Sequence, residues 1–140
     1  MENQAHLEVN SQLEVLTQVQ QWFRSVCMSR EAEGAWVKDY ADRLVIALTE
    51  GFTNAVRHAH AELPPDTTIA IDLRFGHNRF EIRILDHGYP FDPEGLEEPQ
   101  PGELRDSGYG WFLLRRLADK VTYQRLQDGR NCLSIIQYEA

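Results

Sequence analysis

Hydrophobic positions along this chain switch between the period of two expected for strands and the three-to-four spacing expected for helices. Residues 5–9 (Ala-His-Leu-Glu-Val) read as a short strand. Ser11, with Glu14 three residues on, has the form of a capping box. Leu13, Leu16, Val19, Phe23 and Val26 then follow at helical spacing, which predicts an amphipathic helix over about 11–28. After a connection over 30–34, a long second helix is expected from about Ala35 to His60, burying Trp36, Tyr40, Leu44, Ala47, Leu48 and Ala55. Pro64-Pro65-Asp66 ends it, because proline cannot continue a helix. Ile69, Ile71, Leu73 and Phe75 alternate, Gly76-His77-Asn78 turns the chain, and Phe80, Ile82 and Ile84 alternate again, which predicts an antiparallel hairpin.

Residues 86–107 hold most of the prolines and several glycines without any period. So long a loop inside a compact domain is usually functional or mobile. A helix is expected over 109–120, then strands near 121–125 and 132–138 joined at Asp128-Gly129. The order β-α-α-β-β-loop-α-β-β predicts an α+β fold: a two-layer sandwich whose mostly antiparallel, mixed sheet carries helices on one face.

Composition narrows the class. The chain has 140 residues, 42% of them apolar and 26% charged, enough for one core and one domain over 1–140. A disordered tail, a coiled-coil rod and a disulfide-stapled miniprotein are excluded. Fourteen Lys and Arg against 22 Asp and Glu leave a net charge of −8, without the basic footprint of a direct nucleic-acid binder. The polar, acidic start does not resemble a secretory leader, and the aliphatic stretch Leu44 to Leu48 is too short for a bilayer. Cys27 and Cys132 form no C-x-x-C pair and read as buried reduced thiols. No membrane association and a cytoplasmic location are expected.

Three segments carry candidate chemistry, each with a plainer alternative. In Glu50-Gly51-Phe52-Thr53-Asn54-Ala55-Val56-Arg57-His58, residues 50, 54 and 58 put a carboxylate, a carboxamide and an imidazole along one helix face. Oxygen donors of this kind suit Mg²⁺, and a neighbouring carboxylate can act as a general base; the alternative is a solvated polar stripe. In Asp86-His87-Gly88-Tyr89-Pro90-Phe91-Asp92-Pro93, a strand-end Asp can accept from an exocyclic amine, and the glycine allows close approach of a ring. The same residues also make an ordinary turn. In Ser107-Gly108-Tyr109-Gly110-Trp111-Phe112, glycines enter a helix, where free N–H groups and the helix dipole favour phosphate. The alternative there is loop punctuation.

In their order and detail these segments resemble the GHKL (Bergerat-fold) ATPases, and within them the anti-sigma-factor serine-protein kinases of bacteria. Asp86 to Pro93 and the run Gly108-Tyr109-Gly110-Trp111-Phe112-Leu113-Leu114-Arg115-Arg116-Leu117-Ala118-Asp119-Lys120-Val121-Thr122-Tyr123 are close to that branch's own pattern. The resemblance implies a histidine-kinase-like ATPase fold with ATP and Mg²⁺ as cofactors. It implies Glu50 as general base and Asn54 as Mg²⁺ ligand, and sets His58 beside them in the cofactor site. Asp86 would read adenine, Gly88 would allow the close approach, and Gly108 and Gly110 would meet phosphates. A lid over about 94–107 would bring Arg105 toward the γ-phosphate. Relatives tend to carry a threonine in the last strand near the adenine, where this chain offers Asn131 or Cys132.

The function implied is an ATP- and Mg-dependent serine/threonine protein kinase acting as an anti-sigma-type regulator. Its substrate would be a small anti-sigma antagonist (anti-anti-sigma) protein, with a sigma factor as a second candidate partner and a homodimer as a candidate assembly. The rival is a nucleotide-dependent protein-binding switch without phosphoryl transfer. Retention of both Glu50 and Asn54 favours the enzyme, because a pure binder needs no base.

Overall fold

The structure is a computed structural model that describes residues 3–30, 34–88 and 109–140. The expected lid, Arg105 and Gly108 lie outside them. Five strands form one sheet: β1 (Gln4–Asn10), β2 (Thr68–Phe75), β3 (Arg79–Asp86), β4 (Lys120–Arg125) and β5 (Asn131–Tyr138). They lie in the order β1-β2-β3-β5-β4. Every pairing is antiparallel, so the sheet expected to be mostly antiparallel has no parallel pair among the described residues. Among the described residues three α-helices accompany it: α1 (Leu16–Met28), α2 (Ala41–Asn54) and α3 (Tyr109–Leu117).

Side chains alternate across a pleated strand, and the register assigns them to faces. Ile71 stands opposite both Leu7 and Ile84, and Ile82 stands between Leu73 and Ile135. These residues join Val19 and Phe23 of α1, Leu44, Leu48 and Phe52 of α2, and Trp111 and Leu114 of α3 in one core. Among the described residues the other face of the sheet carries a smaller apolar group of Ala70, Leu85 and Cys132, with Leu126 beside it, and the buried Ile136. The helices therefore cover one face, as the two-layer expectation requires. Cys27 and Cys132 are buried and free, and burial pushes the Cys27 thiol up to about 12. Among the described residues no helix is long and apolar enough to cross a membrane.

Two local expectations are corrected. Ser11 does not cap a helix: it is buried, its N–H continues the strand by donating to Thr67 O at 2.8 Å, and its hydroxyl has no partner among the described residues. A 3₁₀ turn over Leu13–Val15 leads into α1 instead, with no side-chain cap bond at Gln12. Pairing with β2 governs this stretch more strongly than the capping signal does.

The helix expected over 35–60 is really three pieces. A 3₁₀ segment covers Ala35–Tyr40, α2 runs to Asn54, and a π turn covers Ala55–Ala59. The π turn closes with His60 N–H donating to Ala55 O at 2.8 Å, a span of five residues. Periodicity alone cannot see such a change, since a π turn adds only one residue to a helical turn. Single π turns of this kind occur frequently at functional sites.

At the far end of α3, Asp119 Oδ2 accepts from Gln137 Nε2 and from Tyr138 N–H, at 2.8 and 2.9 Å. Arg43 of α2 donates to Gln137 Oε1 at 2.9 Å. This network ties α2, the α3–β4 corner and β5 together.

Candidate nucleotide site

The end of β3, the beginning of β5 and the end of β4 form one row of the sheet. Asp86 pairs with Asn131, and Asn131 pairs with Arg125. Directly opposed residues in an antiparallel sheet point to the same face. All three share the parity of the core residues Ile84, Leu133 and Tyr123, so they face the helix layer.

Asp86 is 6% exposed and Asn131 is fully buried. Asn131 Nδ2 donates to Asp86 Oδ1 and to Gly88 O, each at 2.8 Å. Gly88 N–H donates to the same Asp86 Oδ1 at 2.9 Å. Among the described residues these are the bonds that reach the carboxylate, and both land on Oδ1. Among the described residues Oδ2 is thus the oxygen left to accept from a ligand amine. The sequence left Asn131 and Cys132 as alternatives beside the adenine position; the pleat selects Asn131, because Cys132 points into the apolar group on the opposite face. Arg125 Nη1 lies 3.4 Å from Asn131 Oδ1 and 3.5 Å from Gly88 O, at the outer edge of this cluster.

The second wall comes from α2 and its π turn. Glu50 and Asn54 are half-buried, four residues apart on one face of α2. His58 falls in the π turn, where the altered winding carries it off that stripe, and its side chain is exposed. The three-residue line read from the sequence therefore shortens to Glu50 and Asn54.

The π turn ends against the recognition turn. A Cβ on Gly88 would come within 2.0 Å of the Ala59 carbonyl oxygen, and one on Gly110 within 2.4 Å of Asn54 Nδ2. Both glycines are needed first for the protein's own packing. Gly88 lets the end of the π turn seat on the Asp86–Gly88 turn, and Gly110 lets the first turn of α3 touch Asn54. The three motifs, far apart in sequence, are thus in direct contact.

A residue absent from the sequence reading completes the cluster. His60 is 3% exposed, and its Nε2 accepts from the His87 N–H at 2.8 Å. Burial pushes its pKa below the ordinary histidine value, against the pull of Asp86 and together with that of His87. Nothing local marks it, because its partner lies across the fold on a different element.

Whether these residues suit ATP and Mg²⁺ can be tested on the donor set. A buried carboxylate with one oxygen left to accept suits the exocyclic amine of adenine. No group of three or more His, Cys, Asp or Glu side chains is placed to hold a metal ion among the described residues. Magnesium in nucleotide sites is usually held by one or two protein oxygens together with the phosphates, with several waters retained. The Asn54 carboxamide, with Glu50 one turn away, fits that pattern rather than an all-protein cage.

Comparison with known proteins agrees with this geometry. The chain is 35% identical over 96 residues to the serine-protein kinase RsbW of Bacillus licheniformis, covering 61% of this chain and 58% of that protein. It is 33% identical over 96 residues to the serine-protein kinase RsbW of Bacillus subtilis, with the same coverage of 61% and 58%. To the serine-protein kinase RsbW of Staphylococcus epidermidis it is 31% identical over 101 residues, covering 66% and 62%. The matched region spans between half and two thirds of these relatives' length. The fold matches a crystal structure of the RsbU and RsbW domains of a Mycobacterium tuberculosis protein with a TM-score of 0.65 at 13% identity, over 98% of this chain and 32% of that one. A family model described as the histidine kinase-like ATPase domain matches residues 9–137, from the end of β1 nearly to the end of β5. The chain belongs to the histidine kinase-like ATPase domain family.

Proposed function

We propose that the protein is an ATP- and Mg-dependent serine/threonine protein kinase that phosphorylates a small antagonist protein and, in its other state, sequesters a regulatory partner. The observation that carries this is the contact between three elements. Asp86 is fixed in a buried turn, that turn is packed on the end of the π turn, and Asn54 touches the entry of α3. Base recognition, a magnesium ligand and a phosphate-side helix terminus thereby share one wall. The similarity to serine-protein kinases named RsbW supports the choice of substrate class.

In this reading Asp86 accepts from the adenine amine, while Asn131 and the Gly88 N–H hold its other oxygen. Asn54 supplies the protein's oxygen to Mg²⁺. When bound, the ion offsets charge on the phosphates. Glu50, one turn before Asn54, takes the proton from the partner's serine or threonine hydroxyl as that oxygen attacks the γ-phosphorus, the bond from this phosphorus to the β–γ bridging oxygen breaks and ADP leaves, and the positive end of α3 faces the developing charge. A sigma factor is a candidate for the sequestered partner, and a homodimer a candidate assembly, working in the cytoplasm.

The test is direct. Purified protein with Mg-ATP and a candidate antagonist protein should yield phosphoserine or phosphothreonine. Asn54→Ala should weaken both nucleotide binding and transfer. Tight partner binding that depends on nucleotide, with no transfer in the unaltered protein, would instead establish the binding switch.

A further inference from the structure

We propose that His60 is the positioning residue of the base-recognition turn, holding the His87 amide so that Asp86 and Gly88 keep their ligand-ready arrangement. The inference rests on the nucleotide site assigned above and adds a residue that the motif reading does not contain.

The turn Asp86-His87-Gly88 is held from two sides. Asn131 takes its carbonyl side, at Gly88 O, and its carboxylate, at Asp86 Oδ1. His60 takes its amide side, accepting the His87 N–H at 2.8 Å. The two clamps come from different places: Asn131 stands in the sheet, whereas His60 stands just beyond the π turn whose Ala59 carbonyl fills the space beneath Gly88. Removing the imidazole frees the amide and also hollows the contact between the π turn and Gly88. The sheet clamp would then act alone, and the carboxylate that reads the base would lose its fixed direction.

The chemistry of the clamp also specifies a protonation state. Nε2 accepts a hydrogen bond, so neutral His60 carries its proton on Nδ1, which is buried without a partner among the described residues. An imidazolium would present Nε2–H to the His87 N–H, donor against donor. The groups facing His60 are the Asp86 carboxylate and the His87 ring, whose centroid is 6.2 Å away. On its own segment Arg57 and His58 are exposed, and Glu62 follows it. Burial outweighs the pull of Asp86 and keeps the imidazole neutral down to below its ordinary value of 6.5. Acidification beyond that point opens the clamp.

The experiment measures binding of a non-hydrolysable ATP analogue with Mg²⁺ by calorimetry from about pH 5 to about pH 8, the range in which histidine titrates. The unaltered protein is compared with His60→Ala and His60→Gln, whose amide oxygen can accept from the His87 N–H but cannot titrate. Protonation of the nucleotide is common to all three and cancels in the ratios. We expect His60→Ala to bind about three- to tenfold more weakly at neutral pH, the size of one lost positioning hydrogen bond. We expect His60→Gln to bind within about twofold of the unaltered protein at neutral pH, with a shallower loss of affinity below pH 6.5. A purely structural role would not be rescued by glutamine or change the pH profile. A folded His60→Ala that binds as the unaltered protein does overturns the inference and leaves the nucleotide site standing. So does a His60→Gln whose affinity falls with acid as steeply as that of the unaltered protein, and this arm decides the matter if His60→Ala does not fold. Absence of any nucleotide binding in the unaltered protein overturns the site itself, and His60's role with it.

Discussion

At the β3 end of the site, Asp86 is 6% exposed and its carboxylate, the following amide and the Gly88 carbonyl are all bonded to the protein. On α2, Glu50 and Asn54 are half-buried on a helix face, with Asn54 in contact with Gly110. Among the described residues the first region is held by protein bonds, whereas the second, in the proposed site, would complete its coordination with phosphates and water. Discriminating one base from another needs a fixed donor and acceptor pattern, because a site built to hydrogen-bond rejects a ligand that leaves its groups unpaired. Phosphoryl transfer needs groups that engage fully only as charge develops. Under the proposed function, the bonded turn would serve recognition and the helix face the reaction.

The sharpest test of this contrast is Glu50→Gln. It keeps size and hydrogen bonding but removes the proposed base, so phosphoryl transfer should fall by about 10²–10⁴-fold in a phosphorylation assay, with nucleotide affinity nearly unchanged. Transfer that survives undiminished would leave the kinase reading standing and assign the base elsewhere. Asp86→Asn should do the reverse. One oxygen becomes an amine facing a donor, and the expected cost of about 1–3 kcal/mol weakens ATP binding by roughly five- to 150-fold in calorimetry, in a protein that still folds. Unchanged affinity in the folded variant would sink the assignment of adenine recognition to this carboxylate.

Gly88→Ala probes the packing between the two regions. Its Cβ would meet backbone at 2.0 Å, which cannot swing aside, so a loss of about 1–3 kcal/mol in urea unfolding is expected. Gly110→Ala meets first the Asn54 side chain, at 2.4 Å, and should cost less stability while displacing the proposed magnesium ligand. Equal stability losses in the two variants would break the distinction between a fixed turn and an adjustable helix face.

The smallest effect is expected outside the site. His6 on β1 is hydrogen-bonded to Asp72, which raises its pKa above 6.5, with Glu8 adding to the shift. A raised folded-state value means that the pairing stabilises the protein fully below the ordinary histidine value and loses this as pH rises through the folded value. His6→Gln should therefore lower the urea midpoint slightly below pH 6.5 and not at alkaline pH. Nucleotide affinity should not follow it.

Local pattern and tertiary contact divide the credit at identifiable residues. Alternation at Ile69, Ile71, Leu73 and Phe75 and at Phe80, Ile82 and Ile84 places β2 and β3 in the sequence, because a strand's period is set by its own backbone. The Asp86-x-Gly88 turn, the Glu50–Asn54 pair and the Gly110 helix entry are equally legible, since each chemistry is local in sequence. The α1 start is not: Ser11 looks like a cap and is taken into the strand by Thr67. The π turn at Ala55–Ala59 is not legible either, nor is its removal of His58 from the Glu50–Asn54 face.

The sequence by itself determined the strands and most of the helical stretches, and offered the motifs of the proposed site, because these depend on spacings of a few residues. Only the tertiary structure decided that Asn131 rather than Cys132 meets Asp86, that His60 holds the His87 amide, and that Gly88 and Gly110 are occupied by Ala59 and Asn54. Each of those contacts joins residues at least 27 positions apart. A single-residue change of register in β5 would turn Asn131 away from Asp86. That register follows from burying Leu133 and Ile135 against the helices, a condition on the whole core that no local spacing contains.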